Sequence, residues 1–288
     1  MIDKIKQVIP TLNDDQAEAI TSTEGPLLII AGPGTGKTLT IVARTLYLLI
    51  TEKARPDEII LTTFTEKAAF ELRDRVSQLA RKLDYQGHVN QLKVGTIHSL
   101  CNQFIMEFLY KTHLNKHYRV LDELTQVFFV YEHFDTIAPL ENGSYLGKWD
   151  SKWSAIRLLI PYINKITEEL IDPAELKKSE DHFLHNVAQA YERYVNLLYE
   201  NNSIDFSHLQ KIFFEVLQDK DVCKKIKGKI NYIMVDEYQD TNYVQEQILL
   251  TLARPENNLC VVGDEDQALY RFRGATVRNI LEFSKNFD

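Results

Sequence analysis

Positive charge is scarce in this sequence. Its 33 lysines and arginines face 41 aspartates and glutamates, a net charge of −8 over 288 residues. A broad basic face that would attract nucleic acid is therefore excluded, and any polyanion has to be held in a local patch or groove. Cysteine is scarcer. Cys101, Cys223 and Cys260 stand far apart, with no CxxC pair and no Cys/His cluster. The pattern gives no sign of a zinc or iron–sulfur site and reads as reduced thiols in a cytoplasmic protein. No apolar run approaches the roughly 20 residues of a membrane-spanning helix, and the Met1 end has no signal-peptide core. What remains is an ordinary globular balance, 44% hydrophobic and 26% charged, in a chain long enough for two domains or one large one.

The most informative stretch is Pro26 to Thr38, PLLIIAGPGTGKT. Leu27 to Ile30 reads as a buried strand. The glycine-rich turn Ala31-Gly32-Pro33-Gly34-Thr35-Gly36 follows. Beyond it, Leu39, Val42, Leu46 and Leu49 recur at helical spacing. Strand, turn, Lys37-Thr38 and amphipathic helix, in that order, make a phosphate-binding loop. Glycines let successive backbone N–H groups face one concavity, and the helix N-terminus adds unpaired N–H groups at its positive end. Lys37 is placed to reach the outer phosphates of a nucleotide and Thr38 to hold Mg²⁺. Ala31 stands where the generic pattern has glycine. Upstream, Asn13 reads as a helix cap with acids in the first turn. Gln16, just before the loop, carries an amide that can both donate to and accept from one edge of adenine.

Two more strand–loop–helix units follow: Ile59 to Thr62 before a helix from about Lys67 to Leu83, then Leu92 to Thr96 before Ile97-His98-Ser99. This succession predicts a parallel sheet flanked by helices, with ligands at the C-terminal ends of the strands. From Cys101 to about Gly228 only helical spacing is visible, for example Val187, Tyr191, Tyr194 and Leu198. We expect an all-helical insert there, large enough for its own core. Trp149 and Trp153 read as packing residues within it. The sheet resumes with Tyr232 to Val235, ending in Asp236-Glu237, and Leu259 to Val262, ending in Gly263-Asp264. An apolar strand closed by two acids is the usual partner of a phosphate loop. Asp236 would hold Mg²⁺, and Glu237 would orient and deprotonate an attacking water.

The segment Val235-Asp236-Glu237-Tyr238-Gln239-Asp240-Thr241-Asn242 resembles the Walker B motif of UvrD/Rep-type superfamily 1 DNA helicases. Five other stretches agree in order. Leu12 to Gln16 resembles the family's adenine-reading Q motif, and Ala31 to Thr38 its phosphate loop, which often begins with alanine. Thr63 to Ala69 resembles motif Ia, Gly95 to Ser99 motif Ib, and Val262 to Ala275 motif III. Glu66 stands where the family commonly has asparagine, and Phe272 where it commonly has tryptophan. Tyr191 to Leu209 resembles the segment leading back from the family's helical insert.

The resemblance implies a RecA-like P-loop NTPase domain, α/β with helices on both faces of a parallel sheet, formed by residues 1–100 and 229–288. A helical insert would occupy 101–228. It implies ATP and Mg²⁺ as cofactors and Gln267 as the residue coupling the γ-phosphate to the DNA strand. Phe64, His98, Tyr270 and Phe272 would contact single-stranded DNA, the aromatics by base stacking worth roughly 1–3 kcal/mol per base. Thr65, Thr96 and Arg273 would touch phosphates or the strand. The family's function is 3′→5′ translocation on single-stranded DNA and unwinding at duplex junctions. Its arginine fingers lie in a second RecA-like domain, which we expect to be absent from this chain. The fragment is then expected to be monomeric and of low activity, with no membrane partner. Two alternatives stay open: the motor of an AddA/RecB-like recombination helicase–nuclease, and a non-catalytic nucleotide- and DNA-binding module. The second is disfavoured by the presence of Lys37, Asp236 and Glu237 together.

Overall fold

The computed structural model of the protein describes residues 1–138, 151–264 and 277–287. The chain divides into two compact units, one of residues 1–100 and 217–288, the other of residues 101–216.

The first unit begins with helices α1 (Ile2–Val8) and α2 (Asp14–Thr21), then strand β1 (Leu27–Ile30) and helix α3 (Lys37–Ile50). Strand β2 (Ile59–Thr63), helix α4 (Glu66–Lys82) and strand β3 (Lys93–Thr96) follow, and helix α5 (Ile97–Glu107) runs on into the second unit at residue 101. Local chemistry sets the starts of these helices. Asn13 and Gln16 form a reciprocal capping box on α2, and the Thr65 hydroxyl caps α4 by accepting from Ala68 N at 3.1 Å. Helix α3 starts from Gly36, whose φ of 91° is open to glycine and strained for other residues.

The second unit holds β4 (Arg119–Leu121), α6 (Glu123–Glu132), α7 (Phe134–Ile137), α8 (Lys152–Glu168), α9 (Pro173–Lys177), α10 (His182–Glu200), β5 (Ser203–Asp205) and α11 (Phe206–Leu217). The core of this unit gathers Phe129, Phe134, Ile156, Leu159, Tyr191 and Tyr194. It is not all-helical: β4 and β5 pair in parallel, Arg119 with Ser203 and Leu121 with Asp205. Each strand has three residues. That is too short for alternation to show, and the partners lie far apart in the chain. Trp153 is 41% exposed and stacks on Tyr131 with ring centroids 4.5 Å apart, so it packs on the surface and not in the core. Trp149 lies outside the described residues.

The chain returns to the first unit with α12 (Lys220–Lys227), β6 (Tyr232–Val235), α13 (Tyr243–Ala253) and β7 (Leu259–Gly263). The return comes earlier than residue 229, because α12 buries Val222 and Ile226 and packs on α13. The five-stranded sheet runs β1-β7-β6-β2-β3, every pair parallel. Its three central strands, β7, β6 and β2, are buried on both faces. Ile59, Leu61, Met234, Cys260 and Val262 join one core with α3 and α4, while the alternate residues Ile60, Ile233, Val235 and Val261 are 0–1% exposed as well. Among the described residues no helix is long and apolar enough to cross a membrane.

Candidate nucleotide and nucleic-acid site

The strand order explains which side chains meet. β7 and β6 lie beside β1 in succession, so the acids that follow them face the start of α3. Thr38 Oγ1 donates to Asp236 Oδ2 at 3.1 Å. Lys37 Nζ pairs with Asp264 Oδ2 at 3.1 Å, with both side chains nearly buried. The loop before them is shaped by Gly34 and Gly36, with φ values of 75° and 91°, and by Thr35 Oγ1, which donates to Gly32 O at 2.8 Å. Gln16 closes one side: its amide donates to Thr35 O at 2.9 Å, while its oxygen accepts from Asn13 N at 3.1 Å. A Cβ on Gly36 would stand 2.9 Å from that amide nitrogen.

Asp236 follows β6 and is buried. Burial, and after it the neighbouring charge of Glu237, push its carboxyl above the ordinary aspartate value. Glu237 is held in the left-handed region at φ 56°, a strained backbone for a residue with a side chain and one that clusters at functional sites. Gln239 Nε2 donates to Glu237 Oε2 at 2.5 Å, and Gln239 Oε1 accepts from Asp264 N at 3.1 Å. One buried amide therefore ties the acid after β6 to the acid after β7. Asp264 and Gln239 are members of the site that sequence reasoning did not assign. The available signal was their position: Asp264 follows β7 as Asp236 follows β6.

A shallow cleft beside these acids is lined by Thr63, Phe64, His98, Asp236, Glu237 and Thr241. Phe64 is 45% exposed there. Burial holds the His98 imidazole down at about 4, against an upward pull from Glu66. It is therefore neutral at pH 7. Thr96 is buried, donates to Glu66 Oε1 at 2.7 Å and caps Ser99 N at 3.1 Å. Glu66 thus fastens the start of α4 to the end of β3. Thr65 is exposed and occupied as the cap of α4. Gln267, Tyr270, Phe272 and Arg273 lie outside the described residues. Ala31, Gly32, Pro33, Gly34, Thr35, Gly36, Lys37, Thr38, Asp236 and Glu237 are gathered at one end of the sheet, with Phe64 and His98 in the adjoining cleft.

A glycine-rich loop joining β1 to its helix, with acids closing the two neighbouring strands of a parallel sheet, defines a P-loop domain of the RecA-like class. Relatives are consistent with this class. Residues 12–288 match the UvrD/REP helicase N-terminal domain, and the chain belongs to that family. It is 34% identical over 278 residues to the ATP-dependent DNA helicase PcrA of Staphylococcus aureus, covering 96% of this chain and 36% of that protein. The Bacillus subtilis PcrA is 34% identical over 286 residues, covering 98% and 36%. A probable DNA helicase II homolog of Rickettsia conorii is 35% identical over 282 residues, covering 97% and 41%. The chain thus spans 36–41% of the length of these curated relatives.

Proposed function

We propose that this chain binds ATP–Mg²⁺ and is the nucleotide-binding part of an ATP-driven motor on single-stranded DNA. The observation that carries the reading is the meeting of Lys37, Thr38, Asp236, Glu237 and Asp264 at one end of the sheet. The Thr38 hydroxyl and Asp236 carboxylate are adjacent hard-oxygen ligands of the type Mg²⁺ takes. A cation would also offset the burial and like charge that push Asp236 upward. When bound, the metal neutralises phosphate charge. Lys37 would leave Asp264 for the phosphates as nucleotide enters. Glu237, oriented by Gln239, would position and deprotonate the attacking water. Gln16 would read adenine, exchanging its bond to Thr35 for one to the base.

Phe64 and His98 share a cleft with Asp236 and Glu237, which supports a strand path beside the nucleotide. A neutral, part-exposed ring pair suits stacking of bases without a basic surface. The resemblance gives the arginine fingers to a second RecA-like domain, and such a finger is worth roughly 10³–10⁵ in rate in related phosphate chemistry. Turnover by these 288 residues alone is therefore expected to be slow.

The test is nucleotide binding and steady-state ATPase activity, each with and without oligothymidine, with Lys37→Ala as the blank. Binding that is lost in the blank, with turnover near the blank's level, is expected. Equal nucleotide binding by the chain and by Lys37→Ala would overturn the assignment of the loop. Robust DNA-stimulated turnover would overturn the need for a further domain.

A further inference from the structure

Arg44, in the middle of α3, is 2% exposed and among the largest fully buried side chains. A guanidinium keeps its charge inside a protein. Yet among the described residues no carboxylate lies within ion-pair distance of it. Its partners are backbone carbonyls: Nη1 donates to Ala19 O at 2.6 Å and Nη2 to Thr23 O at 3.2 Å. Its Nε is buried as well and has no hydrogen-bond partner among the described residues. A buried charge without an acid is costly, and an apolar side chain of similar volume is often at least as stabilising. Stability is therefore a poor reason for an arginine at this place; what it holds is a better one.

It holds α2. Ala19 lies within α2, and Thr23 follows its last residue by two. The last turn of α2 has no basic residue of its own, so the cation that suits a helix C-terminus comes from α3 instead. The other end of α2 bears Gln16, whose amide donates to Thr35 O at 2.9 Å. Thr35 belongs to the loop that starts α3. Arg44 follows Lys37 by seven residues, which is two turns and about 10 Å further along the same face. The loop and α3 thus grip α2 at both ends. A shift of α2 by one helical rise, about 1.5 Å, would misplace the Gln16 amide by about half the length of its bond.

We infer that Arg44 is a positioning residue for nucleobase recognition: it fixes α2 along α3 so that the Gln16 amide meets the base of a nucleotide whose phosphates sit at Lys37. The inference rests on the reading of the loop as an ATP site. It makes adenine the selected base, because the amide matches adenine's adjacent donor and acceptor, whereas guanine shows two acceptors on the same edge.

The test is equilibrium binding of Mg²⁺–ATP, Mg²⁺–GTP and inorganic tripolyphosphate to the full chain of 288 residues. The chain should prefer ATP to GTP about tenfold, the worth of one two-point amide contact to a base, and Gln16→Ala should abolish that preference. Arg44→Met removes the charge and keeps a side chain of similar length. It should lower the preference about threefold or more, while the affinity for tripolyphosphate, which reads the loop alone, changes by less than about twofold. In the Gln16→Ala background the same substitution should leave the ATP-to-GTP ratio where it is, because Arg44 acts through Gln16. Arg44→Lys is the second variant. It keeps a charge but lacks the planar fork that reaches two carbonyls, and its preference should fall between those of the unaltered chain and Arg44→Met. An unchanged preference in either folded variant, or equal loss of affinity for all three ligands, would overturn the inference and leave Arg44 a packing residue. So would an unaltered chain that binds ATP and GTP equally. Failure of the underlying reading has a different signature, since ATP and tripolyphosphate would then bind Lys37→Ala as well as the unaltered chain, and the inference would fall with it.

Discussion

Asp205 and Asp236 each stand at the end of a short strand, one in each unit, and both are buried, at 1% and 6% exposure. Their surroundings treat the charge in opposite ways. Asp205 accepts from His208 N at 2.7 Å, from Tyr194 Oη at 2.6 Å and from Gln126 Nε2 at 3.2 Å, with the His208 ring at 2.9 Å as well. Burial pushes its carboxyl up, but the His208 charge and these hydrogen bonds outweigh it and hold the group below the ordinary value. Among the described residues Asp236 accepts from Thr38 Oγ1 and Glu237 N alone, and an acid is its neighbour. Its carboxyl is pushed up. A buried carboxylate surrounded by donors is a finished structural joint. One left short of donors is suited to a ligand that brings positive charge.

Breaking the finished joint should have the largest effect. Asp205→Ala strips donor groups on three residues, His208, Tyr194 and Gln126, of their partner in the core of the second unit, and should cost about 3–5 kcal/mol in urea unfolding. Nucleotide affinity should stay unchanged, because the first unit holds the loop. Next is Gln239→Ala, which frees Glu237 and the backbone N–H of Asp264. It should cost about 1–3 kcal/mol by the same measurement and lower hydrolysis more than nucleotide binding. Asp236→Asn should act in the opposite direction. It removes a disfavoured buried charge and should raise stability of the ligand-free protein by about 0.5–2 kcal/mol, while Mg²⁺-dependent nucleotide binding is lost. A fall in melting temperature would contradict the reading of Asp236 as under-satisfied.

A separate effect concerns pH. Burial lowers His98 from 6.5 to about 4 in the folded chain, so the unfolded chain binds its proton first. The stability this contributes is complete above pH 6.5 and is lost as pH falls towards 4. His98→Asn should flatten the slope of stability against pH in that window. Asp236 runs the other way: its raised value favours the folded state below the ordinary aspartate range and costs stability as pH rises. In Asp236→Asn the descending His98 limb should persist.

Much of the site was legible because its chemistry is local. The turn from Ala31 to Gly36, the pair Lys37-Thr38 and the acids after β6 declare themselves by residue type within a few positions. What could not be read depends on pairing at a distance. Asp264 meets Lys37 only because β7 lies next to β1, and no spacing along the chain shows that order. Strands β4 and β5 hid for the same reason, as three-residue segments with no amphipathic period. The early return of the chain at Leu217 rests on α12, whose lysine-rich sequence resembles a solvated linker and whose two buried residues, Val222 and Ile226, are its only apolar anchors in the first unit. Thr65 and Thr96 were legible as residues at or just past the C-terminal ends of β2 and β3, but not as a helix cap and as the partner of Glu66.

The strand order also has a consequence for how the chain is assembled on a ribosome. The first hundred residues contain β1, β2 and β3, yet β1 shares no ladder with β2. Among the described residues its strand neighbour is β7, which ends at Gly263, and β6 joins β7 to β2. A nascent chain that has just emitted the phosphate loop therefore carries β1 with an unpaired edge. The sheet cannot close until the whole second unit has been made. At synthesis rates of roughly 5–20 residues per second, that leaves an apolar strand unpaired for about ten seconds or longer. The second unit, continuous in sequence from residue 101 to 216, has no such wait.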